Sequence, residues 1–161
     1  GESTENRYWI PCFDEPSEKQ TSEMIVTAKA GNEVVSNGKL LDRREDAKAG
    51  SVTFHWSQDK PHSAYLMTLV VGPMAKLEEA WHNKPVRCYC QPKYKDWLAG
   101  SFARTSAMLE FFSSKIGVEY AWDQYAQVVC DILTRRSDTD VVPLNWVVNS
   151  RSSVSRGSVK R

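Results

Sequence analysis

The hydrophobic pattern of the chain changes its period near residue 97, and this change constrains the fold more than any other feature. Between residues 23 and 72, short runs rich in β-branched and aromatic residues alternate with turn residues, which is typical of an all-β layer structure. From residue 98 onward, apolar residues recur at steps of four and three, which places them on one stripe of a helix. The members of the stripe are Leu98, Phe102, Thr105, Leu109, Phe112 and Ile116. The sequence therefore predicts a mainly β fold followed by one long α-helix at about 98–116.

Three features refine the β region. Asn37-Gly38 is the dipeptide best suited to the positive φ angles of a tight hairpin turn, so the runs 33–36 and 39–41 are expected to pair with each other. The run 65–71 is almost continuously apolar, which indicates a strand buried on both faces. Further strands are expected at 24–28, 52–56 and 86–90.

The end of the helix is marked by Lys115 in its last turn and by Gly117 just beyond it. A basic residue there suits the helix dipole, and glycine suits a left-handed C-terminal cap. The switch from strands to helix near residue 97 is a candidate domain boundary.

Charge and hydropathy exclude several functional classes. The 21 Lys and Arg residues nearly balance the 20 Asp and Glu residues, so the charge points to no nucleic-acid or membrane footprint across the whole molecule. No stretch is apolar for the roughly 18 residues that a membrane helix needs, and residues 1–6 are polar and acidic rather than signal-like. A soluble protein is expected, with the cytoplasm favoured. The start without Met indicates a chain that was cut from something longer or processed.

Residues 131–161 differ in character from the rest, with six basic and three acidic residues. The segment 150–158 is dominated by Ser and Arg, a low-complexity composition that predicts an irregular or disordered tail. Contact of this tail with RNA or with an acidic partner is the alternative to a solvated end.

The four cysteines are Cys12, Cys88, Cys90 and Cys130. Cys88 and Cys90 are two residues apart in a predicted strand, so they share a face and cannot easily bridge each other. Reduced, partly buried thiols are therefore expected rather than a disulfide framework.

The residues needed for zinc or hydrolytic chemistry are not found in the expected patterns. His55, His62 and His82 include no pair in a His-Glu-x-x-His arrangement. A zinc site built from His82, Cys88 and Cys90 is the alternative, but two thiolates on one strand give poor tetrahedral geometry. Strand packing for these cysteines and surface positions for the histidines are the simpler interpretation.

Other catalytic patterns are also missing from the sequence. No Ser lies in a Gly-x-Ser-x-Gly elbow, and no glycine-rich phosphate loop is present. The adjacent carboxylates Asp14 and Glu15 would point apart in an extended segment, and Asp14 is expected to cap backbone donors between Pro11 and Pro16. No catalytic, substrate-binding or metal residue is assigned in this chain.

The segment 7–16, Arg-Tyr-Trp-Ile-Pro-Cys-Phe-Asp-Glu-Pro, resembles a motif of the aminopeptidase N family of zinc peptidases, which includes the leukotriene hydrolases. Further blocks follow in the family's order: 36–38, 53–56, 65–72, 85–89, 105–112 and 120–125. The resemblance covers about residues 1–128. It implies that residues 1–90 are the later part of a saddle-shaped β-domain, with β-sandwich character, and that 91–130 open a thermolysin-like catalytic domain.

The resemblance also implies what the chain lacks. In this family, an upstream Gln, a Gly-x-Met-Glu-Asn segment and a zinc helix form the exopeptidase site, and none of them matches a position here. Zinc is the cofactor of the parent family, but no cofactor is expected in this chain. The implied partners are the remainder of the catalytic domain and, for the full-length protein, a peptide substrate. Residues 131–161 resemble nothing in the family, so a frameshifted or vector-derived tail is one hypothesis.

Two functional classes follow. The chain is a catalytically inactive fragment of a zinc aminopeptidase, or it is a non-catalytic β-domain module for binding or scaffolding. Behaviour in solution separates them, because a fragment would expose the apolar stripe of its helix and associate, whereas a module would melt as a stable monomer.

Overall fold

The computed structural model describes residues 6–131 and 139–143, which contain nine strands and two α-helices. Short 3₁₀ helices lie at Asn6–Tyr8, Ala64–Leu66 and Pro92–Trp97. The strands are β1 (Lys19–Lys29), β2 (Glu33–Ser36), β3 (Lys39–Asp46), β4 (Ser51–Ser63), β5 (Leu69–Gly72), β6 (Ala75–Trp81), β7 (Lys84–Cys90), β8 (Tyr125–Asp131) and β9 (Thr139–Pro143). The helices are α1 (Leu98–Phe102) and α2 (Thr105–Ile116). This content confirms the mainly β prediction.

The first sheet is antiparallel and has the order β1-β4-β3. Alternate residues of β4 point inward, as the two-residue period of a strand requires, and Val52, Phe54 and Trp56 are each at most 2% exposed. Val34 of β2 packs on them, and the indole Nε1 of Trp56 donates a hydrogen bond to the Val34 carbonyl at 3.2 Å. This cluster forms the core of the first sheet.

The predicted hairpin at Asn37-Gly38 is wrong, although both flanking strands and the positive φ of Gly38 are present. β2 pairs with β5, whereas β3 pairs with β4, so the dipeptide carries the chain from one sheet to another. The Asn37 side chain ties the dipeptide to the segment that precedes β5. Its Nδ2 donates to the Leu66 carbonyl at 2.9 Å, and its Oδ1 accepts from the Thr68 amide at 2.6 Å.

The run 65–71 is not one strand buried on both faces. Its first residues belong to the 3₁₀ helix Ala64–Leu66, and only Leu69–Gly72 form β5. Leu69 and Val71 are 39% and 47% exposed, because β5 pairs with β2 alone and turns one side away from the core. Apolar content without alternation did not distinguish these two arrangements.

The third sheet, β6-β7-β8-β9, lies between the two-stranded β2-β5 sheet and the helices. β7 and β8 are parallel, and the connection between them contains both helices, as a parallel pair requires. Tyr89 packs with Val35 and Ala126 on one face. Cys88 and Cys90 pack with α1 on the other.

The single long helix predicted at 98–116 is wrong in length. Two helices form instead, because Arg104 has φ −105° and ψ 1°, outside the helical region, and separates α1 from the twelve-residue α2. The predicted end is confirmed: Gly117 is left-handed at φ 75°, and its amide donates to the Ser113 carbonyl at 2.9 Å.

Part of the predicted irregular tail is ordered, since residues 139–143 form β9 and pair antiparallel with β8. The low-complexity segment 150–158 lies outside the described residues.

Candidate functional site

The three histidines lie in three separate environments. His55 is on the outer surface of the first sheet, where its Nε2 contacts Oε1 of Glu23. His82 lies in the β6–β7 turn, with Glu110 and Glu119 on its two ring nitrogens. These two agree with the predicted surface positions, but no two histidines share a site.

His62, in contrast, is buried at 2% exposure, so a surface position for it is wrong. Its Nδ1 lies 3.1 Å from the Lys60 carbonyl, and its ring meets Trp122 edge-on at 6.3 Å. Burial is the main cause that lowers its pKa below the ordinary value of 6.5, and the charge of Lys19 adds to this effect. His62 is therefore a neutral core histidine.

Cys88 and Cys90 are free, buried and on one face of β7, as predicted from their spacing. Burial raises the pKa of Cys88 to about 11, with a smaller contribution from the negative charge of Glu79. Burial also raises the pKa of Cys90. Both groups are thiols at neutral pH, and a thiol is a poor nucleophile and a poor metal ligand.

These positions decide the fit of a zinc ion to the described residues. His82 directs both ring nitrogens at carboxylates in the β6–β7 turn, whereas Cys88 and Cys90 pack with Leu98 and Phe102. Among residues 6–131 and 139–143, no group of three His, Cys, Asp or Glu side chains is arranged to hold a metal. The dispersed site built from His82, Cys88 and Cys90 therefore does not fit zinc.

Asp14 is buried, while its neighbour Glu15 is exposed, so the two carboxylates do point apart. Oδ2 of Asp14 accepts from the backbone amide of Arg7 at 3.0 Å and from its Nε at 3.3 Å. The capped donor is thus upstream of the expected 11–16 stretch. These contacts of Asp14 with Arg7 close the N-terminal loop.

The outer face of α2 exposes a group of apolar side chains near the third sheet. It consists of side chains that are each more than half exposed: Met108, Phe111, Phe112, Ile116 and, just after the helix, Val118. The spacing of three and four residues within α2 aligns them on one side. Only Thr105 and Leu109 of α2 are buried. The predicted stripe therefore divides, with Leu98 to Leu109 inward and Phe112 and Ile116 outward.

A second feature joins the strands of the first sheet to the approach of β8. In the 121–124 segment, the Asp123 carboxylate accepts from Lys60 at 3.0 Å and lies 3.5 Å from Lys39. Gln124 Nε2 donates to the Ser36 carbonyl at 3.1 Å. Sequence reasoning missed this contact, because the partners are far apart in the chain and no local pattern links them.

No helix within the described part of the chain has both the length and the apolar character needed to cross a bilayer.

Comparison with known proteins gives a consistent result. Residues 1–66 match the model of the peptidase M1 N-terminal domain. The chain is 30% identical over 122 residues to the alanine/arginine aminopeptidase of Saccharomyces cerevisiae, a match that covers 74% of this chain and 14% of that protein. It is 27% identical over 126 residues to mouse glutamyl aminopeptidase, covering 74% of this chain and 13% of that protein.

A third similar protein is a probable M1 family aminopeptidase of Encephalitozoon cuniculi, 24% identical over 147 residues. That match covers 90% of this chain and 17% of the relative, so it includes residues beyond 131. The chain thus spans less than a fifth of the length of these curated relatives.

Proposed function

The chain belongs to the M1 aminopeptidase family, and we propose that it forms a structural part of a larger zinc aminopeptidase, without hydrolytic activity of its own. In this proposal, residues 1–90 are the later part of the N-terminal β-domain and residues 91–130 begin the catalytic domain. The parent activity would be removal of N-terminal residues from peptides by metal-assisted hydrolysis.

The observation that carries the proposal is the outer face of α2. Five large apolar side chains in one patch are unusual for the surface of an isolated protein and typical of an interface. In a larger protein of this family, the remainder of the catalytic domain would pack against this face. These side chains are 54–70% exposed, so enclosing each one fully would contribute about 1–2 kcal/mol to the assembly.

The lack of activity rests on the donor set of the described residues. Zinc in this family would polarise the peptide carbonyl and activate water, but no described trio of side chains fits the ion. No step of hydrolysis is therefore assigned to this chain. Its contribution is to position the first helix of the catalytic domain on the third sheet.

The test uses the 161-residue chain as it is. We expect less than stoichiometric zinc by elemental analysis and no release of chromophore from aminoacyl reporter substrates. Tight zinc at one ion per chain, or turnover that a chelator abolishes, would contradict the proposal.

The outer face of α2 gives a second, independent arm of the test. We expect the chain to self-associate in size-exclusion chromatography, and we expect the Phe111→Ser/Phe112→Ser variant to elute closer to a monomer. Ser114→Ala is the matched control, because Ser114 is an exposed residue of the same helix and is not part of the apolar face.

The alternative function, a binding or scaffolding module, is favoured by the closed core of the first sheet around Phe54 and Trp56. A wild-type chain that is monomeric at high concentration and melts in a single cooperative transition would support that alternative.

A further inference from the structure

α2 is held to the protein by a small set of contacts. Leu109 packs against Trp81 and Val86, and Thr105 is the other buried residue of the helix. Ser106 donates to Glu79 of β6 at 3.0 Å. With so little buried surface, polar contacts at the side of the helix have a large share in fixing its position.

The β6–β7 turn contributes such a contact through His82. Its Nε2 lies 3.1 Å from Oε2 of Glu110, in the middle of α2. Its Nδ1 lies 2.9 Å from Oε1 of Glu119, in the segment that follows Gly117. The imidazole of His82 therefore connects the turn both to α2 and to the segment that leaves it, which we call the exit segment.

The ring of His82 is placed by its surroundings. It stacks on the indole of Trp81 with a centroid distance of 4.3 Å and an angle of 18° between the planes. The same indole donates from Nε1 to Oε2 of Glu110 at 3.0 Å. His82 also has a positive φ of 53°, a conformation in which His is one of the better tolerated residues.

This geometry favours the protonated, charged form of the ring. A carboxylate only accepts hydrogen bonds, so two carboxylates on the two nitrogens are both satisfied only when both nitrogens carry a proton. Neutral imidazole has one N–H and would present a lone pair to either Glu110 or Glu119. The contact is complete only for the imidazolium form.

We propose that His82 is a pH-sensitive clasp, whose protonation fixes α2 and its exit to the β6–β7 turn and whose deprotonation loosens them. The charged groups around the ring are Glu110 from α2, Glu119 from the following segment and Lys84 from β7. Lys84 lies 3.8 Å from Oε2 of Glu119 and also donates to the Tyr120 carbonyl, so it holds the exit segment whether or not His82 is protonated. Loosening therefore acts first on the Glu110 side, at α2 itself.

The direction of the pH effect follows from the carboxylates. The hydrogen bond to Glu119 is the largest cause that raises the pKa of His82 above the ordinary 6.5, and the charges of Glu110 and Glu119 add to it. A raised pKa in the folded state means that the stabilisation is fully present below pH 6.5. It is lost as the pH rises through the pKa of the folded protein.

The first measurement is the titration of His82 in the whole 161-residue chain by NMR of its ring C–H groups, from about pH 5 to 9. His82→Asn identifies the resonance and tolerates the left-handed backbone. We expect a pKa above 6.5 in the wild type and a lower one in Glu110→Gln/Glu119→Gln. A wild-type value at or below 6.5, or no change in the double variant, would overturn the proposal.

The second measurement is amide hydrogen exchange of residues 105–116, compared between wild type and His82→Asn at each pH so that the intrinsic rate cancels. We expect roughly two- to fivefold greater protection in the wild type at acidic pH, and a ratio that falls to one as His82 deprotonates. A ratio of one at every pH, or a ratio that does not change with pH, would refute the clasp.

His55→Gln is the matched control, since it breaks a His–Glu contact on the first sheet that does not touch α2. We expect it to leave the exchange of 105–116 unchanged. If His82→Asn fails to fold, the Glu110→Gln/Glu119→Gln variant gives the same comparison with His82 in place.

Discussion

The ammonium group of Lys60 donates a hydrogen bond to Oδ1 of Asp123 at 3.0 Å. The contact joins β4 of the first sheet to the segment that leads into β8 of the third. The Asp123 side chain is 14% exposed, and its Oδ2 has no hydrogen-bond partner among the residues that the structure describes. Two lysines, Lys60 and Lys39, therefore balance a carboxylate that water reaches poorly.

Lys60→Met should lower the free energy of unfolding. The substitution leaves Asp123 with Lys39 as its only cationic partner among the described residues, at a longer 3.5 Å. We expect a loss of about 1–2 kcal/mol, discounted for the partial exposure of Lys60. Urea denaturation monitored by tryptophan fluorescence measures it. Lys76→Met is the control, because its pair with Glu78 is exposed on both sides and should contribute less than about 0.5 kcal/mol.

Gly38→Ala should be severely destabilising. A Cβ at this position would lie 2.0 Å from the Ser57 carbonyl oxygen, and φ is +81°. We expect a loss of more than about 3 kcal/mol in chemical denaturation, because backbone rather than a flexible side chain must move. Gly31→Ala has a similar φ of +87°, but its Cβ would have no atom of the described residues within 4 Å, so it isolates the cost of the left-handed backbone, about 1 kcal/mol. Equal losses in the two variants would contradict the close approach at Gly38.

The pKa of His62 should be shifted in the direction opposite to that of His82. Burial lowers its pKa below 6.5, so it stays neutral in the folded chain while the unfolded chain takes up a proton. Stability from this residue is present above pH 6.5 and is lost as the pH falls below that value. NMR of the His62 ring gives the pKa directly. A value at or above 6.5 would show that the ring is solvated or paired with an acid that the structure does not contain.

Cys88 and Cys90 should resist thiol reagents in the folded protein. Both are buried, and the pKa of Cys88 is raised to about 11, so little thiolate is available. In a Cys130→Ser background, we expect Cys12, which is partly exposed, to react first with a disulfide reagent. Cys88 and Cys90 should react more than about tenfold faster once urea unfolds the chain. Equal rates for all three thiols before unfolding would argue against the packing of β7 on α1.

Local patterns predicted the elements better than their partners. The strands around residues 24–28, 52–56 and 86–90 and the Gly117 cap are all present, because alternation and capping are properties of neighbouring residues. The pairing of β2 with β5 depends on the Asn37 side chain meeting residues 66–68, which no local pattern shows. The sequence analysis did not predict the strands β6 and β8. The charged residues of β6 are typical of an exposed segment and gave no sign of a strand.

The candidate sites divide in the same way. The shared face of Cys88 and Cys90 follows from their spacing, and it is confirmed. The contacts of His82 with Glu110 and Glu119 link residues 28 and 37 positions apart in the chain. The local sequence around His82 therefore could not predict them. The proposed foreign origin of residues after Cys130 stays a prediction, and one similar aminopeptidase aligns past that point.

The parallel pairing of β7 with β8 affects where the chain can be truncated. β7 ends at Cys90, where the family resemblance implies a domain boundary. However, β7 is an inner strand, and its second neighbour, β8, begins only at Tyr125. A product that stops at residue 90 would leave one side of β7 with unpaired amides and carbonyls from Val86 to Cys90. Such an unpaired edge promotes aggregation with other chains, so a truncated form of this protein should not end at residue 90.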